Sequence, residues 1–382
     1  MAYEKTAVKS DAHPSLQLKH QTVNPQTFPG FSLGGLKKRF PYQLILETIP
    51  LDFTVVICTY NGADRIPDVL ECLRWQLNTN HLKWEIIVVD NNSQDHTADV
   101  VRQYQKDWSY PYTIRYTFEP QQGLAHARQK ALDIARSPWI GFLDDDNLPS
   151  MLWVRKAHEF AQQHPEVAAF GSRLRGLFDS EPPANFERLA AFLALTNRGN
   201  RPRRYFPADK ILPPGAGLVV RRQAWLDSIP TDTTMGIRVR KRDVADDLEP
   251  LLHMQRDGWQ IWYNPAMRVL HKIPASRLTR QYLASLMRGI GLSRYRTRML
   301  SVFGWKRPWM FVAYSLNDVY KIMKHIFKYR LKVWTDTVPA CEMILYFYSF
   351  ISPYYFWQQK LVKLWENRLQ AITKPAVTTD NQ

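Results

Sequence analysis

An α/β fold is predicted, with a doubly wound, mostly parallel sheet carrying helices on both faces and a basic, helical C-terminal region after it. Three observations predict it. Short β-branched apolar runs alternate with segments of helical period between Phe53 and Leu143. Polar or acidic residues stand immediately past three of those four runs. The net positive charge gathers late in the chain, from Arg268 to Trp334, where 15 Lys+Arg and a single acid, Asp318, supply +14 of the total +16.

The elements follow in order. Phe53–Cys58 is apolar at every other position or better, as a strand buried on both faces must be. Ile66, Val69, Leu70, Leu73 and Leu77 then recur at helical spacing. Trp84–Val89 predicts a second buried strand, and Val100, Val101 and Tyr104 the helix after it. Ile114–Phe118 predicts a third strand, Leu124–Ala135 a third helix and Trp139–Leu143 a fourth strand. Ahead of them, residues 1–50 carry Pro14, Pro25, Pro29 and Pro41 with little periodicity and read as a flexible lead-in. That lead-in lacks the apolar core of an export signal.

Composition narrows the function. Of 382 residues 45% are hydrophobic, which excludes a disordered chain. The three cysteines, Cys58, Cys72 and Cys341, have neither metal-ligand spacing nor the even number of a disulfide framework, so a reducing, cytosolic setting is expected. No glycine-rich dinucleotide fingerprint follows the first strand. The phosphate-binding loop of nucleoside triphosphatases and the nucleophile elbow of serine hydrolases are also missing.

Sheets of this kind bind ligands beyond the carboxyl ends of their strands. There the sequence places Thr59-Tyr60-Asn61-Gly62, then Asp90-Asn91-Asn92-Ser93, then Asp144-Asp145-Asp146-Asn147. Two carboxylates two residues apart, Asp144 and Asp146, can hold a hard divalent cation that bridges to substrate phosphates. A solvated acidic turn is the plainer alternative. Asp246-Asp247-Leu248-Glu249 forms a second acidic cluster at the start of a helical stretch, where capping and general-base roles both suit a carboxylate.

Four motifs, Val55–Asn61, Val88–Ser93, Gly123–Arg128 and Phe142–Asp146, together resemble the inverting family 2 glycosyltransferases, which have the GT-A fold. Gly215-Ala216-Gly217, Asp246-Asp247 and His271 fit later motifs of the same family. Pro213–Trp225, Trp262–Met267, Arg288–Arg294 and Ala340–Met343 resemble, within it, the hormogonium-polysaccharide glycosyltransferases of filamentous cyanobacteria. The motifs place a catalytic domain over 51–275, and the basic, aromatic pattern after it gives a helical, membrane-associating region over 276–365, with a flexible tail expected over 366–382.

It also implies roles. Thr59, Tyr60 and Asn61 would line a nucleotide pocket, and Asp90 would hydrogen-bond the base, usually uracil. Arg128 would lie near the donor sugar or its phosphates. Asp144 and Asp145 would belong to the nucleotide-sugar site, with Asp144 touching ribose or sugar. Asp146 would ligate Mg2+ or Mn2+, and His271 would approach that metal or the pyrophosphate. Asp247 would be the general base. The acceptor would be a polysaccharide or a lipid-linked oligosaccharide, and the enzyme would work in exopolysaccharide synthesis. Two departures stand out: Asp246 where the family often has Glu, and a basic run, Arg238–Arg242, that suits either a solvated loop or an anionic acceptor.

From Trp309 onward the sequence predicts an amphipathic helix. Val312, Leu316, Val319, Met323 and Ile326 share one stripe, and Lys321, Lys324, Lys328 and Lys332 another. Trp305, Trp309 and Trp334 flank it. That pattern suits an anionic membrane surface, with packing against the catalytic domain as the alternative. Met343–Gln359 holds 17 uncharged residues, at the lower edge of the roughly 17 to 25 that cross a bilayer. With Pro353 inside, interfacial or re-entrant packing is expected over a span. The expected location is therefore the cytoplasmic face of the plasma membrane, or the cytoplasm. A nucleic-acid binder using the basic region is disfavoured, because no nucleic-acid module accompanies the charge. The intact acids disfavour a catalytically silent scaffold, and a nucleotidyltransferase would share the sheet but bind a triphosphate.

Overall fold

The computed structural model describes residues 50–108, 113–209, 211–228, 248–300, 302 and 304–373. The lead-in, Asp246, Asp247 and the basic run Arg238–Arg242 lie outside the described residues. From Pro50 onward the described residues form one compact unit.

The first half alternates strand and helix as the apolar runs require. It comprises β1 (Phe53–Thr59), α1 (Ile66–Arg74), β2 (Trp84–Asp90), α2 (Thr97–Asp107), β3 (Thr113–Phe118), α3 (Leu124–Ile134) and β4 (Trp139–Asp144). These strands pair in parallel in the order β3-β2-β1-β4. Every residue of β1 and β2 is buried, because side chains alternate between two covered faces. Val55 and Ile57 join Val69, Leu70 and Leu73 of α1 on one face, while Val56 and Cys58 join Ala127, Ala131 and Leu132 of α3 on the other. Each large aliphatic so buried contributes about 1.5–3 kcal/mol.

The second half extends the sheet with strands that the sequence did not announce. It runs through β5 (Asn147–Pro149), α4 (Trp153–Gln163), β6 (Val167–Phe178), β7 (Arg203–Arg204) and β8 (Leu218–Arg221). Then come α5 (Arg222–Ser228), α6 (Leu248–Arg256) and β9 (Gln260–Ile273). The full order is β3-β2-β1-β4-β8-β6-β9-β5, with β7 on β9. β8 is antiparallel to both β4 and β6, so the sheet is mixed, with its parallel half at the β1–β4 side.

Helices α7 (Ala275–Leu278), α8 (Arg280–Leu300), α9 (Arg307–Tyr329), α10 (Lys332–Thr335) and α11 (Thr337–Thr373) complete the chain. The last of them stays helical to Thr373, past residue 365, where the sequence ends the helical region. Among the described residues no helix is long and apolar enough to cross a membrane. A third apolar cluster joins Phe186, Leu189, Leu193 and Ile273 to Leu278, Leu283 and Met287, and to Val338, Cys341 and Leu345 of α11. Arg188–Glu342 and Arg296–Glu249 ion pairs bridge the same layers.

Helix α9 is inverted relative to a helix packed in water. It buries Asp318 (1% exposed) and His325 (5%) and exposes Trp309 (76%), Leu316 (66%) and Phe327 (74%). Asp318 accepts two bonds from Arg298, at 2.6 and 2.8 Å, and His325 Nε2 lies 2.9 Å from the Pro339 carbonyl. Val312, Val319, Tyr320, Met323 and Ile326 widen the exposed apolar face, and Lys324 and Lys328 flank it.

Candidate active site

A cavity of about 320 Å³ opens at the carboxyl ends of β1 and β4, lined among others by Thr59, Tyr60, Asp144, Asp145, Asp146 and His271. The parallel register puts Thr59 level with Asp90 and Cys58 level with Asp144, so the polar residues past each strand reach one rim. The turn after β1 is tightly built. Asn61 takes a left-handed backbone (φ 49°), its N–H donates to Ser93 Oγ at 2.9 Å, and its Oδ1 accepts from the Gln94 N–H at 2.8 Å. At Gly62 a Cβ would lie 2.1 Å from Thr59 Oγ1 and 2.6 Å from Asp145 Oδ2, so only glycine lets the turn pass.

Each acid of the Asp144-Asp145-Asp146 turn meets a different arginine. Asp145 is clamped by Arg65, Nε to Oδ1 at 3.1 Å and Nη2 to Oδ2 at 2.9 Å, and accepts the Thr59 hydroxyl at 2.7 Å. This hydrogen bonding drives the Arg65 guanidinium still further toward its charged form. Asp144 faces the buried Arg128 at 3.9 Å and keeps 36% of its side-chain surface open. Burial pushes the Asp144 carboxyl up, against the opposing Arg128 charge. Asp146 Oδ2 lies 2.8 Å from Arg277 Nη1 and 3.4 Å from His271 Nε2. Burial works to raise Asp146, but His271 and Arg277 outweigh it and hold its carboxyl below the usual carboxylate range.

His271 reaches Asp146 through strand pairing. β5 runs antiparallel to β9 with Asn147 opposite His271, and the Lys272 N–H donates to the Asp146 carbonyl at 2.9 Å. Asp146 and His271 together present one oxygen and one nitrogen donor. Their 3.4 Å separation suits adjacent positions on a hard cation, where ligands at 2.0–2.1 Å stand about 3 Å apart. No group of three or more His, Cys, Asp and Glu side chains placed for a metal occurs among the described residues. The pair fits a Mg2+ or Mn2+ ion that takes its other ligands from phosphate and water. His271 Nδ1 is buried and has no hydrogen-bond partner among the described residues.

Three expected residues stand behind the cavity wall. Asp90 is buried, and its carboxylate accepts from the Ser93 N–H at 2.9 Å and the Tyr116 hydroxyl at 2.8 Å. Burial first, and the bond to Asp90 next, push the Tyr116 phenol up to about 12. Arg128 is buried with its guanidinium carbon 5.2 Å from the Phe142 ring centre. Asn61 shapes the turn, as above. Asp247 lies outside the described residues. Arg65 and Arg277, which no local sequence pattern marks, also line the cavity, as does Asn91, placed by the sequence past the second strand without a role. Asn91 ties the rim, its Oδ1 accepting from the Gly123 N–H at 2.7 Å and its amide donating to the Gln121 carbonyl at 2.6 Å.

A mixed sheet of this order, with an acidic turn past its fourth strand and a cavity over the parallel ends, is the α/β GT-A fold of nucleotide-sugar transferases. Residues 54–242 match the model of glycosyl transferase family 2, and the chain thus carries a family 2 glycosyltransferase domain. It is 35% identical over 117 residues to the putative teichuronic acid biosynthesis glycosyltransferase TuaG of Bacillus subtilis, covering 31% of this chain and 44% of that one. It is 32% identical over 162 residues to the hyaluronan synthase of Pasteurella multocida, covering 36% of this chain and 16% of that one. The chain therefore spans less than half the length of these curated relatives. Among solved structures, the mannosyltransferase PcManGT of Pyrobaculum calidifontis, in complex with GDP-Man and Mn2+, aligns at a TM-score of 0.49 and 18% identity, over 84% of this chain and 89% of that one.

Proposed function

We propose that the protein is an inverting, metal-dependent glycosyltransferase that moves a sugar from a nucleoside diphosphate-sugar, a UDP-sugar by preference, to an acceptor hydroxyl. The observation that carries this reading is the convergence on one cavity of Thr59, Tyr60, Asp144 and Asp146, all within the residues matched by the family 2 model, with His271 from beyond them. Thr59 and Tyr60 wall the nucleoside side, and Asp90 stiffens that wall from behind. Asp144 faces the ribose or sugar, and Asp145 fixes the turn. Asp146 and His271 hold a Mg2+ or Mn2+ ion, which when bound offsets the charge growing on the leaving diphosphate. Asp247 takes the acceptor's proton, and an in-line attack then inverts the anomeric centre.

The acceptor we propose is a polysaccharide or lipid-linked oligosaccharide in exopolysaccharide synthesis, of the hormogonium-polysaccharide (HpsE) type. Two relatives named for polymer synthesis, of teichuronic acid and of hyaluronan, support that class. The inverted helix α9 supports work at the cytoplasmic face of a membrane. Its outward Trp309, Leu316, Met323 and Phe327 and flanking lysines match the interface of an anionic bilayer.

The test is thermal unfolding with a panel of nucleoside diphosphates, with Mn2+ or with chelator. A ligand bound only by the folded state raises the midpoint, by about 2.7 kcal/mol of stability at a hundredfold excess over its Kd. Stabilisation by UDP that requires Mn2+ and disappears in Asp146→Ala supports the site. A cooperative transition that no nucleotide moves would overturn it.

A further inference from the structure

Arg277 sits where a divalent cation would sit. Its Nη1 lies 2.8 Å from Asp146 Oδ2 and 3.3 Å from His271 Nε2, the two donors that fit a metal. A guanidinium has only donors to offer, so its bond to Asp146 draws on the same carboxylate oxygen a metal would need. The side chain reaches in from α7, the short helix just past β9, and keeps a third of its surface open to solvent (33%). It lines the same cavity as Asp144, Tyr60 and Arg65. The other two guanidinium groups of the turn are placed differently. Arg65 is clamped on Asp145, and Arg128 is buried behind Asp144. Arg277 alone of the three meets the acid that the metal requires.

We propose, on the reading of this cavity as a metal–nucleoside diphosphate site, that Arg277 is a resident counter-cation. Without nucleotide it neutralises Asp146 and competes with the metal. When a diphosphate enters, the guanidinium has a second, bidentate anionic partner, and Asp146 is released to the metal. Metal and nucleotide then assist one another through Arg277, and by linkage the assistance is the same in both directions. A positively charged group resident on the ligand would also keep the free enzyme from holding adventitious divalent ions.

The experiment measures Mn2+ binding through the paramagnetic resonance of the free ion, on the full chain, with and without UDP. Wild type, Arg277→Gln and Arg277→Lys are compared, with unfolding midpoints confirming that all three fold. In wild type, UDP should tighten Mn2+ binding. Arg277→Gln should bind Mn2+ alone about fivefold or more tightly than wild type, and should lose most of the tightening by UDP. Arg277→Lys, which keeps the charge, should stay near wild type for Mn2+ alone. Unchanged or weaker Mn2+ binding by Arg277→Gln without nucleotide would overturn the counter-cation. Failure of wild type to bind UDP at any Mn2+ concentration would overturn instead the metal–nucleotide reading beneath it.

Discussion

Three neighbouring carboxylates at one strand end repel one another, and they persist because each has its own cation. That division of partners also divides their consequences. Asp145 has little open surface and satisfies both oxygens within the protein, on Arg65 and Thr59. Asp145→Asn should therefore act on stability, costing about 1.5–3 kcal/mol for the lost charged hydrogen bonds, read as a shift in the urea midpoint. Asp146→Asn keeps the shape but removes the charge a metal needs. It should lower transfer by roughly 10²-fold or more with a smaller change in stability. Equal effects of the two substitutions on both readouts would contradict this division. A second residue-scale prediction concerns Cys58, in the cavity wall. Burial pushes its thiol up to about 12, with Arg128 opposing. At pH 8 only about one molecule in ten thousand then carries the reactive thiolate. Alkylation by iodoacetamide should be far slower at Cys58 than at the half-buried Cys72, and faster as pH rises toward 12; a Cys58 rate matching a free thiol would show an open wall.

Among the elements, α9 makes the sharpest demand on its surroundings. Its stripe from Trp309 to Phe327 faces outward while Asp318 and His325 face in. In Leu316→Glu with Phe327→Glu, sedimentation with anionic vesicles should fall at least about tenfold, with the unfolding midpoint unchanged or higher. Undiminished vesicle binding would remove α9 as the contact. Asp318→Ala should do the opposite, removing the buried carboxylate that Arg298 bonds twice and costing about 3 kcal/mol without weakening vesicle binding. The stripe was legible in the sequence, but its direction was not. Periodicity reports that two faces differ; which one meets the protein depends on Arg298 and Pro339, far along the chain. The same limit explains the sheet. β1 to β4 are doubly buried, and their Val and Ile runs declare them. β6 and β9 carry Arg175, Arg268 and Lys272 on their open stretches, and the buried Arg173 is bonded to the Gly199 carbonyl and Asn200, so no unbroken apolar run announces either strand. Likewise Asp146 and Asp144 stood out as acids at a strand end, whereas Arg65 and Arg277 reach theirs across 80 and 131 residues of sequence, where no local pattern points.

At the scale of the whole molecule, the helical region and the catalytic sheet share a core. Motif positions place a boundary near residue 275, and a chain read that way would be an enzyme with an attachable membrane anchor. The packing argues for something more integrated. Phe186, Leu189, Leu193 and Ile273, all before that boundary, bury themselves against Leu283, Met287, Val338, Cys341 and Leu345 beyond it. Helices α8 and α11 meet closely enough that a Cβ on Gly291 would lie 2.7 Å from Tyr348 Cβ and 3.1 Å from the Leu345 carbonyl. Cutting the chain after residue 275 would expose the four earlier side chains, at about 1.5–3 kcal/mol each. That sum rivals the roughly 5–15 kcal/mol that holds a typical domain folded. It would also remove Arg277 from Asp146. A chain ending at residue 275 should therefore be insoluble or melt without cooperativity, while the full chain melts as one unit, both followed by circular dichroism. The milder Gly291→Ala, which only pries α8 from α11, should lower the midpoint by the equivalent of about 1–3 kcal/mol. If the shortened chain instead melted cooperatively near the full-length midpoint, the helical layer would be an independent module. Membrane contact through α9 could then not bear on the geometry of the cavity. If it fails to fold, the exposed stripe of α9 and the helix that carries Arg277 belong to one body, and the membrane docking proposed for α9 would then fix the orientation in which an acceptor arrives.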